Sequence, residues 1–217
     1  MRRILASHTR GPDWSASRRR PLLFLPLAAL ALLVSGCHFH PLVDTAPLDN
    51  AGVGYDAVKQ LKTLDITAPE VAQVAAARRG GFPDASCVES VRIFHSRGQA
   101  FDAGDAIAGL LGAGMQADTI LALARLNQLG LGAGELQAMK LAELSDNIIL
   151  EVARNRAGGK PVLAGASLAT LKNAGVREST LLELARHSVP DSQADAILAF
   201  RRHGASDEQI LLRFAGS

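Results

Sequence analysis

Leu171 to Arg186 reads LKNAGVRESTLLELAR, and Met139 to Arg154 reads MKLAELSDNIILEVAR. The two stretches align without a gap and share Lys, Ala, Leu, Glu, Ala and Arg at matching places, which marks one unit copied along the chain. With Gly175 as position zero, apolar residues stand at −7, −4, +6, +7 and +9 as Leu168, Leu171, Leu181, Leu182 and Leu184. The same offsets around Gly114 give Ile107, Leu110, Ile120, Leu121 and Leu123, and around Glu143 they give Leu136, Met139, Ile149, Leu150 and Val152. Around Gly204 stand Ile197, Phe200, Ile210 and Leu211, and a weaker copy centres on Gly81. The centres lie 33, 29, 32 and 29 residues apart, a spacing that calls for a tandem array of helix pairs.

The local chemistry of each unit supports helix, glycine, helix. A glycine just past a helix end adopts the left-handed conformation at little cost, and the next residue then packs back on the residue four before the glycine. Those two positions pair Phe82 with Ala77, Met115 with Leu110, Val176 with Leu171, and Ala205 with Phe200. Gly81, Gly114, Gly175 and Gly204 are therefore read as structural caps. Glu143 holds the same place in the third unit, where a side chain costs on the order of 1 kcal/mol. Acids at +3 (Asp84, Asp146, Glu178, Asp207, with Asp118 one place late) and arginines at +11 (Arg92, Arg125, Arg154, Arg186) suit the two ends of the second helix dipole. Thr67-Ala68-Pro69-Glu70 is a capping box that starts a helix at Ala68.

Composition agrees with an all-α fold. Ala (37) and Leu (32) dominate the 217 residues, against seven Phe, one Tyr and one Trp, which disfavours sandwiches and barrels. The expected architecture is a row of tandem two-helix repeats, stacked as a short solenoid or compact bundle over residues 57–217, with about five units. The segment HFHPLVDTAPLDNAGVGYD has no sustained apolar period, so 37–56 reads as a flexible tether.

The N-terminus reads as an export signal. Arg18, Arg19 and Arg20 precede fourteen residues, PLLFLPLAALALLV, which fit a signal core and fall short of a spanning helix. Val34-Ser35-Gly36-Cys37 follows. This order resembles the lipobox of bacterial lipoprotein precursors. The resemblance implies a signal peptide over 1–36, cleavage between Gly36 and Cys37, and acyl chains on Cys37 that hold the mature chain to a membrane without a spanning segment. His38 after the cysteine implies the outer membrane, facing the periplasm. Arg19-Arg20-Pro21-Leu22-Leu23 resembles a twin-arginine signal, which leaves two export routes open. The helix-Gly-helix layout itself resembles that of poorly characterised envelope lipoproteins.

Six of the 23 basic residues precede residue 37 against one acid, so the remainder carries about three net negative charges and no cationic stripe, which argues against nucleic acid. The sequence contains no Gly-x-Ser-x-Gly elbow, P-loop or His-Glu-x-x-His helix, and it implies no cofactor. Cys87 sits at +6, filled elsewhere by Ile120, Ile149, Leu181 and Ile210, and so reads as a small core residue rather than a nucleophile. His95 and His187 fall in connections after second helices without metal-ligand spacing, and His38 and His40 lie in the expected tether. The function expected is a non-catalytic binding or scaffold module, anchored through Cys37, for an envelope protein or cell-wall component. A carrier or enzyme with a pocket between repeats lined by Cys87, His95 or His187 is the alternative, and a purely structural envelope link is a third.

Overall fold

In a computed structural model, residues 43–130 and 132–216 are described. Gly36, Cys37, His38, His40 and the expected signal peptide lie outside them. Twelve α-helices fill the described residues, with no strand among them. They come in six consecutive pairs: α1 Ala46–Asn50 with α2 Tyr55–Thr63, α3 Ala68–Arg79 with α4 Asp84–His95, α5 Gly104–Gly112 with α6 Ala117–Arg125, α7 Ala133–Leu141 with α8 Asp146–Ala157, α9 Gly165–Asn173 with α10 Glu178–Arg186, and α11 Ala194–Arg202 with α12 Asp207–Phe214. Each helix packs on the helix two places along, so odd helices form one row and even helices the other. One continuous core runs between the rows and takes up the repeat positions, including Ile107, Leu110, Ile120, Leu136, Ile149, Leu168, Leu181, Ile197 and Ile210, all at most 1% exposed.

The expected caps are all left-handed: φ is +97° at Gly81, +88° at Gly114, +84° at Gly175 and +88° at Gly204. Glu143 takes the same conformation at +61°, as its place in the unit required. Each carries the expected bond across the cap, from Phe82 N–H to Ala77 O (3.1 Å), Met115 to Leu110 (3.0 Å), Leu144 to Met139 (3.1 Å), Val176 to Leu171 (3.1 Å) and Ala205 to Phe200 (3.2 Å). The start of α3 follows its sequence signal, since Glu70 Oε2 accepts the Thr67 N–H at 2.8 Å.

Two expectations are corrected. Residues 43–56 are not a tether, and the pairs number six rather than five. Leu48 is buried completely, Gly52 (φ +76°) ends α1, and Val53 N–H bonds Leu48 O at 3.0 Å, which is the same cap as in the other units. Burying a leucine stabilises by about 1.5–3 kcal/mol, enough to fix a short helix against its neighbours. A five-residue helix with one buried position has no period to detect.

A second set of left-handed residues ends the even helices: Asp65, Gly98, Asn127, Gly159 and Ser188. From each of these to the next odd-helix cap is 16 residues, without exception: Asp65 to Gly81, Gly98 to Gly114, Asn127 to Glu143, Gly159 to Gly175, Ser188 to Gly204. The alternating spacing therefore arises in the even helices. α4 and α8 have 12 residues, whereas α2, α6 and α10 have 9. One extra turn on every second even helix makes four helices the true period. The longer helices add a second donor to carbonyls in the caps of their shorter neighbours: Arg97, beyond α4, donates to Ala124 O (2.8 Å), which also accepts the Asn127 N–H, and Asn155 of α8 donates to Ala185 O (2.6 Å), which also accepts the Ser188 N–H.

Candidate interaction surface

The polar groups of the array act mainly at its joints. Arg78, Lys140, Lys172 and Arg201 stand three residues before their caps and face the acids three residues after: Arg78–Asp84 at 2.9 Å, Lys140–Asp146 at 2.7 Å, Lys172–Glu178 at 3.3 Å and Arg201–Asp207 at 3.7 Å. Both partners also reach back to the preceding pair. Arg78 donates to Gly52 O (3.1 Å), Lys172 to Glu143 O and Arg201 to Gly175 O (2.6 Å), so three of the four cations meet the carbonyl of the previous left-handed cap. Asp84 accepts the Gly54 N–H (2.9 Å) and Asp146 the Gln116 N–H (3.0 Å), each the residue before the preceding even helix. The acids at +3 thus do more than answer a helix dipole, because they join neighbouring units. In the unit centred on Gly114 both members are missing together, with Leu111 and Ala117 in their places.

Buried at the joint between the second and third pairs, Glu70 is 2% exposed and serves three elements. Its Oε1 accepts the Phe101 N–H (2.8 Å) and contacts His95 Nε2 (2.6 Å), while Oε2 takes the Thr67 N–H and hydroxyl (2.8 Å each). Burial alone would raise its pKa, but the hydrogen bonds from Phe101, Thr67 and His95 together hold it below the usual carboxylate value. Two pairs along, Glu135 of α7 repeats the arrangement. Its Oε1 meets Arg156 of α8 at 2.6 Å and the Gly165 N–H that opens α9 at 2.8 Å. The Arg156 hydrogen bond is the main cause of its lowered pKa.

The residues singled out for chemistry are not brought together. Cys87 is completely buried, and desolvation pushes its thiol up to about 12, the reverse of what a nucleophile requires. His95 lies eight residues further along the same helix, about 12 Å by helical rise, with its Nε2 committed to Glu70. His187 is exposed at the end of α10, three pairs away. Among the described residues no group of three His, Cys, Asp or Glu side chains is placed to hold a metal ion. The regular outer feature is the even-helix row, where Arg92, Arg154 and Arg186 pair with Glu89, Glu151 and Glu183 one turn back at 2.6, 3.1 and 2.6 Å. Arg125 has Ala122 one turn back and reaches Glu89 of the preceding pair instead, at 3.4 Å. A shallow groove of about 480 Å³ opens between α2 and α4, lined by Tyr55, Asp56, Gln60, Asp84, Glu89 and Arg92 among others.

No family model, curated protein or solved structure matches the chain.

Reading the sequence missed the joint cations, the triads of Glu70 and Glu135, and the first pair. A signal for the cations was present: a basic residue at −3 accompanies an acid at +3, and the two vanish together around Gly114. Among the described residues, no helix is long and apolar enough to cross a membrane.

Proposed function

We propose that this chain is a lipid-anchored protein of a bacterial envelope, held to the membrane through Cys37, whose helical array is a non-catalytic binding or scaffold surface for another envelope protein or for the cell wall. The observation that carries this reading is the order of basic cluster, apolar core and Val34-Ser35-Gly36-Cys37 at the N-terminus. His38 after the cysteine favours the outer membrane. The array supports the binding half of the reading in two ways. Its most reactive side chains, Cys87, His95 and Glu70, are consumed in packing or joint hydrogen bonds, while the even-helix row repeats a charged face along successive pairs. Stacked repeats characteristically act by presenting such a continuous face to a macromolecule.

The test is fractionation of the full chain expressed in a bacterium, with and without Cys37→Ser. The wild type is expected to incorporate labelled palmitate and partition with membranes, and the variant to do neither. Equal membrane partitioning by the variant would contradict the anchor. Cross-linking of the lipidated protein in its own cells should then capture an envelope component through the even-helix row.

A further inference from the structure

We infer that the first helix pair is the face this array lays on a lipid surface, through a stripe formed by Tyr55, Lys59 and Lys62. The inference rests on the anchor at Cys37 and adds which end of the array the bilayer meets. Three observations carry it.

The chain is fixed very near the anchor. Val43 packs on the core, Asp44 Oδ1 accepts the Ala46 N–H at 2.9 Å, and Leu48 is completely buried. From Cys37 to Val43 is six peptide steps, which span at most roughly 20–22 Å even when drawn straight. An array expected to float on a tether twenty residues long is instead held within roughly 20–22 Å of its acyl chains. The sixth pair lies five layers further along the stack, roughly 40–50 Å at 8–10 Å per layer.

The chemistry of the nearest helix fits that neighbour. Positions 55, 59 and 62 of α2 are related by i, i+4 and i+7, so they occupy about 60° of arc on one face of the helix. All three are exposed, Tyr55 at 81%. The stripe lies on the opposite side of α2 from Ala57, which is buried together with Val58 and Leu61. Among the described residues α4 is the neighbour of α2 within the even row, and Tyr55, at the edge of the groove between them, stays 81% exposed. A tyrosine ring sits well at the boundary between acyl chains and headgroups, and two lysines beside it can extend to anionic phosphates. Asp44, Asp49, Asp56 and Asp65 outnumber the two lysines of this pair, so it does not bind by charge alone, and the stripe orients an array that the acyl chains hold.

The chain provides its own probe. Tyr55 is the sole tyrosine and Trp14 the sole tryptophan, and Trp14 lies in the leader. The processed protein therefore emits from residue 55 alone. Lipidated protein purified from membranes is reconstituted into vesicles of phosphatidylethanolamine and phosphatidylglycerol, recovered by flotation, and compared with soluble Cys37→Ser protein lacking the leader. Acrylamide quenching of Tyr55 is expected to fall by about threefold or more on the vesicles, and lipids brominated near the headgroup are expected to quench it. Floating protein with unchanged acrylamide quenching would overturn the inference while leaving the anchor standing. Protection from acrylamide without quenching by brominated lipid would place a second copy on the stripe and also overturn it. Protein that fails to float, or that still shows tryptophan emission, would overturn the anchor and this inference together. Lys59→Glu combined with Lys62→Glu should still float but regain part of the acrylamide quenching, and full protection in that variant would remove the lysines from the account.

Discussion

Two joints of the array are built to one plan from different parts. Between the second and third pairs, Glu70 of α3 meets His95 of α4 and the Phe101 N–H leading into α5. Between the fourth and fifth, Glu135 of α7 meets Arg156 of α8 and the Gly165 N–H of α9. Both follow a long even helix, whose extra turn carries the cationic partner across. They differ in depth: Glu70 is 2% exposed at its side chain and Glu135 37%. They also differ in what supports them. The second joint adds the Lys172 clamp, whereas the first lacks a clamp and brings α3 and α5 together by small residues instead, with Gly104 against the Gln73 carbonyl. An ion pair and a close backbone approach are thus alternative ways to close the same joint, and the buried one tolerates less change.

The sharpest way to break this comparison is to add one methyl group to each. A Cβ at Gly104 would lie 1.8 Å from the Gln73 carbonyl oxygen, so the backbones must part. At Gly165 it would lie 2.6 Å from Met139 Cγ and 3.1 Å from Glu135, side-chain rather than backbone atoms, so buried Met139 must repack but the two backbones need not part. Gly104→Ala should cost about 3 kcal/mol and Gly165→Ala about 1 kcal/mol, by urea unfolding. Equal losses would mean that the first joint is no tighter than the second.

Next in size is the carboxylate. Glu70→Gln puts an amide donor where only acceptors fit, among three elements and out of water, and should cost about 2 kcal/mol. Glu135→Gln keeps water nearby and should cost under about 1 kcal/mol. If the two lose the same stability, depth is not what separates the joints.

Acid should reveal the carboxylates as a group. Glu70 and Glu135 are held below their ordinary 4.5, and Asp146 and Asp191 below 3.8. For Asp146 burial opposes the shift, and hydrogen bonds from Lys140, Gln116 and Thr119 outweigh it; for Asp191 the Ser167 hydroxyl leads, with the Ala164 N–H. A lowered folded pKa gives stability that is complete above the unfolded value and lost as pH falls through the folded one. The melting temperature is therefore expected to be insensitive to these four groups above about pH 5 and to fall below about pH 4. Glu135→Gln should shrink the acid loss slightly, and a pH-independent melting temperature down to about pH 3 would contradict the assigned bonds. Smallest is a gain: Glu143→Gly removes a side chain from a left-handed cap at φ +61° and should raise stability by about 1 kcal/mol.

Much of this was legible because it is local. The four glycine caps and the Glu143 exception follow from a rule spanning six residues, and the buried positions follow from the offsets around them. The joints were not legible, since Glu70 and Phe101 are 31 residues apart and Glu135 and Gly165 are 30 apart, so nothing in either neighbourhood names the other. The non-glycine caps at Asp65, Asn127 and Ser188 hid the even-helix register, and with it the four-helix period. The first pair hid because α1 offers one buried residue, Leu48, instead of a periodic face.

Hydrogen exchange read by mass spectrometry on wild type and Gly104→Ala tests most directly whether the fold is a stack of pairs that contact only their neighbours. Protection should be lost in α3, α5 and the helices packed on them, while α9 to α12 exchange as in the wild type. Loss spread evenly from α1 to α12 would contradict the array and favour a single cooperative bundle.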